Sequence, residues 1–565
     1  MTTLETVLVL ATALALFIPF LQRTLKRAPR WMDFVPATLL ALGLLHLAVD
    51  GFHMYMIVAY VLVVVLFLQT FKRLLRGGAP ARASRVQIVS SGLGSLLGVF
   101  GLVCGLVAGP MIASGTSEDL RKESWSAAFD HTHAILAQRY GFTDWKRVDW
   151  EMLHARYAPS ITAAEQAQDR DAYHLALREY LFSIPDGHIG LDGAGPEVWR
   201  EAVGGGFGLA LIELDDGSVI VHQLSTEGPA ARAGMTWGAE VLAWNDKPIH
   251  EALGAVRTIW VEVPPATQEG RRLVQQALLI RARIGTQARI TFRNTGETKA
   301  RTATLTAFDD GSESLYDAIG WWDGMKLRQA MGDEVDESTV KRPPEFRILP
   351  EGYGYLRVYH VIPDEHDPDF AGIVQQAVTE FVAQDVPGVV IDVRGNPGGI
   401  DTLVAEMMGF FFSEADLYET MYFQNWLTGL STLDVELPVP IEPKHPYYGG
   451  PLAVLIDQNT RSSGEGFPLL ARRLPQGSVV GIYGTHGSFG MCCASIQMPG
   501  DLELRYPAGQ SRDGDHRVQL DSDENLQGGV LPDVRVPLTR ETVYAMFVDG
   551  EDLVLQYAIA TLQER

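Results

Sequence analysis

Residues 389–399 read VVIDVRGNPGG, and residues 455–467 read LIDQNTRSSGEGF. Each stretch starts as an apolar, β-branched run, turns at a cluster of Gly, Asn or Ser, and leads into a helix-like pattern. Two such strand–turn–helix units predict crossover connections and a mostly parallel sheet. If the two strands lie close in that sheet, both turns open on the same edge. A serine of one turn then faces backbone amides of both turns.

That layout suits acyl transfer, which needs a nucleophile and preorganised donors for a tetrahedral oxyanion. The N–H groups at the start of a helix are suitable donors for negative charge. A plainer alternative exists for the two serines of the second turn, Ser462 and Ser463. Either could simply cap the helix that follows, because Ser is a common N-cap residue.

The length of 565 residues exceeds what one hydrophobic core supports, so several domains are expected. Four apolar runs near the N-terminus approach or exceed the ~20 residues needed to cross a bilayer. We therefore predict a four-helix transmembrane region over residues 1–114; the alternative is four buried core helices. The predicted spans are Thr2–Leu21, Trp31–Val49, Met54–Phe71 and Val86–Ile112.

The basic residues near these runs predict their orientation. Connections 22–30 and 72–85 hold all nine Lys or Arg of residues 1–117, which also hold three acids, a net of +6. Basic loops stay in the cytoplasm. We therefore expect a multi-pass protein of a bacterial-type inner membrane, with both termini and the catalytic part on the periplasmic side. The lipid bilayer and a membrane protein are the expected partners there.

The rest of the chain is acidic. The total charge is −23, so residues 118–565 carry −29, which argues against nucleic acid as a partner. The chain has three cysteines, of which Cys492 and Cys493 are neighbours. Adjacent cysteines rarely bridge, so no disulfide scaffold is expected. The sequence shows no zinc pattern, and we expect neither a metal nor an organic cofactor.

Residues 115–203 show helical spacing up to DGHIGLD at 186–192, and residues 204–307 change to strand patterns. The second block resembles a bacterial PDZ domain through GGFGLALIEL, EGPAARAGM and GTQARITFRN. That resemblance implies a turn that offers backbone N–H groups to a peptide carboxylate, with the peptide added as a strand. The turn would consist of Gly206, Phe207, Gly208 and Leu209.

Residues 346–565 alternate strands and helices and follow a linker at 308–345. The chain resembles the tail-specific serine proteases and their tricorn-core relatives through seven landmarks in the same order. They are DGHIGLD, the PDZ-like block, YGYLRVYHV, VVIDVRGNPGG, LIDQNTRSSGEGF, VVGIYGTHGSFG and GGVLPDVRV. The resemblance implies a crotonase/ClpP-like α/β protease core behind a helical cap. It also implies that Ser462 is the nucleophile and that the amides of Ser463 and of Gly398 or Gly399 form the oxyanion hole.

The base is the point at which the sequence departs from the Ser/Lys branch of that family. No lysine follows Lys444, so a downstream Ser–Lys dyad is impossible. The tricorn-like branch implies a histidine in DGHIGLD, which is His188, with His486 as the alternative. The third partner would be a carboxylate before GGVLPD: Glu524, with Asp521 and Asp523 as alternatives.

These features predict a membrane-anchored serine endopeptidase that cleaves unfolded or C-terminal segments of polypeptides. One alternative is a catalytically inactive PDZ-type scaffold, motivated by the missing lysine. A weaker alternative is a crotonase-like enzyme that acts on a thioester. The sequence does not indicate the oligomeric state.

Overall fold

The chain forms two compact units in a computed structural model, and each is considered by itself: Met1–Thr116 with Phe423–Val435, and Ser117–Tyr422 with Glu436–Arg565. The structure describes residues 8, 11–18, 21, 32, 35–49, 60–66, 68, 117–193, 195–311, 324–335, 341–424 and 433–565.

The first unit corrects the membrane prediction. Among the described residues, no helix combines the length and apolarity that crossing a bilayer requires. Helix Val35–Val49 has 15 residues, which is about 22 Å against a hydrocarbon core of about 30 Å. Apolar residues such as Leu8, Leu39 and Leu66 instead pack into one cluster. The four-helix transmembrane region is therefore wrong, and so is the multi-pass inner-membrane placement derived from it; much of the predicted spans lies outside the described residues.

The second unit is built around a six-stranded sheet, as the alternating pattern after residue 346 predicts. All neighbouring strands run parallel except the first pair, which is antiparallel. In spatial order its strands are Glu345–Ile348, Gly354–Arg357, Val389–Asp392, Leu452–Ile456, Gly477–Gly481 and Val534–Arg535.

Alternation along each strand places apolar side chains on both faces of this sheet. Val389 and Ile391 bury into one cluster, whereas Val390 buries into another. Helices cover the strands, as a parallel sheet requires. They are Phe370–Ala383, Asp401–Met408, Gly466–Ala471, Arg540–Phe547 and Leu553–Gln563, with 3-10 turns Gly409–Phe411 and Ser462–Glu465.

The helical part packs against a second, mixed sheet that joins distant segments of the chain. Strand Gly190–Asp192 pairs with Leu502–Tyr506, and Gly190 lies opposite Arg505. This pairing fixes the segment that carries His188. The sheet order is Ser117–Asp119, Ala494–Met498, Leu502–Tyr506 and Gly190–Asp192, and the helices are Trp125–Arg139, Trp150–Ala167, Arg170–Leu181 and Pro196–Val203.

Residues 205–307 form an antiparallel β domain with its own apolar core. Its edge strand is Leu209–Glu213, followed across the sheet by Val219–Leu224, Glu240–Trp244, Gln287–Arg293 and Arg301–Thr306. The smaller elements are strands Gly205–Gly206, Lys247–Pro248 and Arg281–Ala282, and helices Pro229–Arg232, Ile249–Gly254 and Gln268–Leu279.

The remaining strands, Asp416–Gln424, Leu433–Ile441 and Gly509–Arg512, form a three-stranded sheet. In the region predicted as a linker, residues 324–330 are helical. Met325, Leu327 and Met331 of this region are buried.

Candidate active site

The two turns that the sequence singles out leave neighbouring strands at the same edge of the sheet. Asp392 lies opposite Leu455 in the register of Val389–Asp392 and Leu452–Ile456. Ser462 begins the 3-10 turn after the second strand and has φ of +53°. A non-glycine residue in this left-handed region carries backbone strain, which is commonly found at functional sites. The Ser462 N–H donates to the Ser488 carbonyl at 2.9 Å.

The imidazole of His188 reaches this serine from the helical part of the chain. His188 Nε2 lies 3.0 Å from Ser462 Oγ, which is hydrogen-bond distance. The His188 side chain is 6% exposed. The structure therefore brings together the predicted nucleophile and the predicted base.

The carboxylate beside His188 is Asp186, a residue that the sequence analysis did not single out. Asp186 Oδ1 accepts the His188 backbone N–H at 2.9 Å and lies 3.7 Å from its Nδ1. Tyr140 donates its hydroxyl to Asp186 Oδ2 at 2.6 Å. Burial alone would raise the pKa of Asp186. The nearby His188 side chain and the charge of Lys146 outweigh burial and hold that pKa well below its usual range.

Glu524, the predicted third member, lies elsewhere. Its carboxylate pairs with Arg147 at 3.2 Å, and that arginine side chain is 77% exposed. Asp523 accepts the backbone amides of Asn525 and Gln527 in its own turn. Among the described residues, the carboxylate that contacts the His188 ring is that of Asp186, which precedes the histidine by two positions in the same motif.

Asp521, the other alternative, belongs to a buried charge cluster under the site. Lys146 Nζ lies 3.3 Å from Asp521 Oδ1, and neither side chain exposes any surface. The same ammonium donates to Ser522 O at 2.7 Å and to Ser522 Oγ at 3.0 Å. Asp521 Oδ2 accepts the Phe489 N–H at 2.8 Å. Burial raises the pKa of Asp521, and the charge of Lys146 opposes that rise.

The predicted oxyanion donors lie beside Ser462, but one of them is engaged. Gly398 packs so closely that an added Cβ would lie 2.5 Å from Ser462 Cβ and 2.9 Å from Ser463 N. Its N–H donates to Asn396 Oδ1 at 2.8 Å. Ser463 Oγ donates to the Gly399 carbonyl at 2.9 Å. The amides of Ser463 and Gly399 are therefore the candidate donors in this conformation.

Glu465 holds the loop at Gly487 and Ser488 through hydrogen bonds. Its carboxylate is buried and accepts the amides of Gly487 at 2.8 Å and Ser488 at 3.1 Å. Burial raises its pKa to about 7. His486, the alternative base, instead has its Nδ1 3.1 Å from Ser488 Oγ. Burial and the charges of Arg461 and His188 lower the pKa of His486 well below its usual value, which favours a neutral ring.

A cavity of about 680 Å³ opens in front of Ser462 and His188. Its wall includes Arg461, whose guanidinium lies 3.9 Å from Glu262, and the adjacent cysteines 492 and 493. The sulfurs of those two cysteines lie directly against each other. No cluster of three or more His, Cys, Asp or Glu side chains suited to a metal is found in the described part of the chain.

The predicted peptide-binding turn lies in the β domain beside a second cavity of about 530 Å³, which Gly208 and Leu209 line. The other two residues of the turn, Gly206 and Phe207, do not line this cavity. The Gly206 N–H donates to the Phe308 carbonyl at 2.9 Å, and the Phe207 side chain is buried.

The groove beside the edge strand is partly covered. Gln276 Oε1 accepts the Glu213 N–H at 2.8 Å, which occupies one amide that an added strand would use. Asp309 and Asp310 also line the second cavity, so carboxylates face the space where a peptide carboxylate would be expected. Arg281 pairs with Asp310.

Two protein families match parts of this chain. Residues 352–536 match Peptidase family S41, and residues 121–181 match the Tricorn protease C1 domain. The chain contains a peptidase family S41 domain. The S41 match supports serine protease activity, and it spans five of the six strands of the parallel sheet, Ser462 and the turns around Gly398 and Glu465.

Two solved structures of one protease share the fold of this chain, and a third similar structure is given for comparison. Mature CPAF complexed with lactacystin is 13% identical with a TM-score of 0.51, over 78% of this chain and 99% of that chain. Mature CPAF is 14% identical with a TM-score of 0.51, over 78% and 98%. The photosystem II D1 C-terminal processing protease is 17% identical with a TM-score of 0.36, over 76% and 98%.

Proposed function

We propose that the chain is a serine endopeptidase in which Ser462 is the nucleophile and His188 the general base. The observation that carries this proposal is the 3.0 Å separation of His188 Nε2 and Ser462 Oγ. In the proposed reaction, His188 takes the hydroxyl proton as Ser462 attacks the scissile carbonyl. The histidine then returns that proton to the leaving amine, and water hydrolyses the acyl-enzyme by the same route.

Charge is stabilised at two points in this scheme. The amides of Ser463 and Gly399 would donate to the oxyanion, where preorganised dipoles have their largest effect. Asp186 would stabilise the imidazolium, since its low pKa keeps it ionised at neutral pH. The 3.7 Å separation from His188 Nδ1 makes this a charge interaction rather than a hydrogen bond in the present conformation.

The substrate in this proposal is an unfolded or C-terminal polypeptide segment. A cavity of about 680 Å³ gives an extended chain access to Ser462. The β domain would contribute peptide contacts through Gly208 and Leu209, although Gln276 already covers part of its edge strand.

One observation favours a second candidate, the inactive PDZ-type scaffold. The Gly398 amide, one of the predicted oxyanion donors, is held by Asn396 Oδ1. An incomplete oxyanion hole would leave the serine without acylation activity. In that case the β domain would be the functional part.

A fluorophosphonate label distinguishes the two candidates. We expect the label on Ser462 in the full chain, and casein hydrolysis that falls about 10⁴-fold or more in Ser462→Ala. Ser463→Ala is the matched control, because it removes a hydroxyl bound to Gly399 O but keeps the backbone amide. A folded chain that takes no label would support the scaffold instead.

A further inference from the structure

Cys492 and Cys493 lie in the wall of the same cavity that holds Ser462 and His188. Cys492 is exposed and Cys493 is half-buried, so both can be reached by small molecules. The chain is anchored on both sides of the pair. Met491 bridges Gly509, and strand Ala494–Met498 begins directly after Cys493. The two sulfurs are therefore held at the cavity rather than carried on a free loop.

Two neighbouring thiols have a chemistry that one thiol lacks. A small-molecule disulfide oxidises them in two exchanges: the first forms a mixed disulfide and releases one small thiol, and the second closes the Cys–Cys bond and releases the other. The small disulfide accepts the two electrons. In the reduced state, an arsenoxide bridges both sulfurs, since two S–As bonds form and one water leaves.

We propose that the Cys492–Cys493 pair is a thiol-modification site that controls access to Ser462. In the reduced state, the pair binds a thiophile inside the cavity, and the adduct occupies the space that a polypeptide needs. The disulfide state leaves that space open and protects the sulfurs from modification. This inference rests on the proposed peptidase function of Ser462.

The geometry places the cysteine pair beside the proposed catalytic residues. Cys492 and Cys493 line the same cavity as His188 and Ser462, whose Nε2 and Oγ atoms lie 3.0 Å apart. The sulfurs and the Ser462 hydroxyl share one cavity of about 680 Å³, and an arylarsenic group bound to the pair would fill part of it.

The test uses phenylarsine oxide on the full chain, with the pair either reduced or oxidised by a small disulfide. We expect the reduced chain to take up one equivalent on the peptide that holds Cys492 and Cys493. Its kcat/KM for casein should then fall at least about tenfold relative to the untreated reduced chain. An added dithiol should reverse both effects, and the oxidised chain should take up none.

Two variants identify the cysteines responsible, each compared with its own untreated sample. Cys492→Ser/Cys493→Ser should be insensitive, whereas Cys104→Ser should remain sensitive, because it keeps the pair. An adduct without loss of activity, no adduct on the reduced pair, or inhibition that persists in the double variant would overturn the proposal. Failure of the proposed peptidase function would be distinguishable from failure of this inference. The fluorophosphonate label would then be absent in every sample, while arsenic bound to the cysteine pair could still be measured by mass spectrometry.

Discussion

The ammonium of Lys146 lies 3.3 Å from the carboxylate of Asp521, and both side chains are completely buried. Asp186, which contacts His188, feels the charge of the same lysine. The positive charge of Lys146 thus interacts with two buried carboxylates, those of Asp521 and Asp186. Burying ions is costly, and removing one partner leaves the other uncompensated.

Replacing this lysine should therefore destabilise the fold. We expect Lys146→Met to lower the free energy of unfolding by about 3–5 kcal/mol, and Lys146→Met/Asp521→Asn to recover part of that loss. Urea unfolding measures both. The neighbouring Arg147→Met is the control; it breaks an exposed pair with Glu524 and should cost less than about 1 kcal/mol. Equal losses in the two single variants would contradict the buried-cluster interpretation.

The third member of the proposed triad can be identified by comparing two carboxylates. Asp186→Asn should lower kcat for casein by about 10³–10⁴-fold, because the imidazolium loses its charged neighbour. Glu524→Gln should stay within about twofold of the wild type, since Glu524 forms an exposed pair with Arg147. The reverse pattern would restore Glu524 to the role that the sequence predicts.

The two histidines near Ser462 should differ in a similar way. His188→Ala removes the ring at 3.0 Å from Ser462 Oγ and should lower kcat by about 10³-fold or more. His486→Ala loses a contact to Ser488 Oγ but keeps its backbone bond to Thr460, so about tenfold is expected. Added imidazole should partly restore His188→Ala, which a purely structural loss would not allow.

Glu465 should make stability depend on pH. Burial raises its pKa from 4.5 to about 7, so the folded state favours the protonated form. This contribution to stability is fully present below about pH 4.5 and is lost as the pH rises through about 7. The expected loss is about 3 kcal/mol. Chemical unfolding from pH 4.5 to 7.5 should show that slope in the wild type and a smaller one in Glu465→Gln; identical slopes would refute the assignment.

Local patterns predicted the part of the site that depends on strands and turns. The β-branched runs before Gly398 and Ser462 end at Gly, Asn and Ser, which indicates strand ends without any tertiary information. His188 came from a family resemblance in DGHIGLD. Asp186 stands in the same motif, two residues earlier, and could have been considered, because short acidic turns often bind a nearby backbone N–H.

Other features depend on contacts that no local pattern reveals. Lys146 and Asp521 are distant in sequence, and a lysine is normally exposed, so their burial was not predictable. The bond from Gly398 N–H to Asn396 depends on the conformation of the turn. The membrane prediction relied on the apolar length of the sequence, whereas no helix of the described residues is long and apolar enough to cross a bilayer.

Strand Gly190–Asp192 pairs with Leu502–Tyr506, which is made more than three hundred residues later. A growing chain on the ribosome therefore has no partner for this strand until most of its length has emerged. The His188 imidazole and the Ser462 hydroxyl therefore cannot come together in the nascent chain. Peptidase activity would arise only when synthesis is nearly finished. The interleaved topology therefore delays assembly of the proposed catalytic pair until late in synthesis.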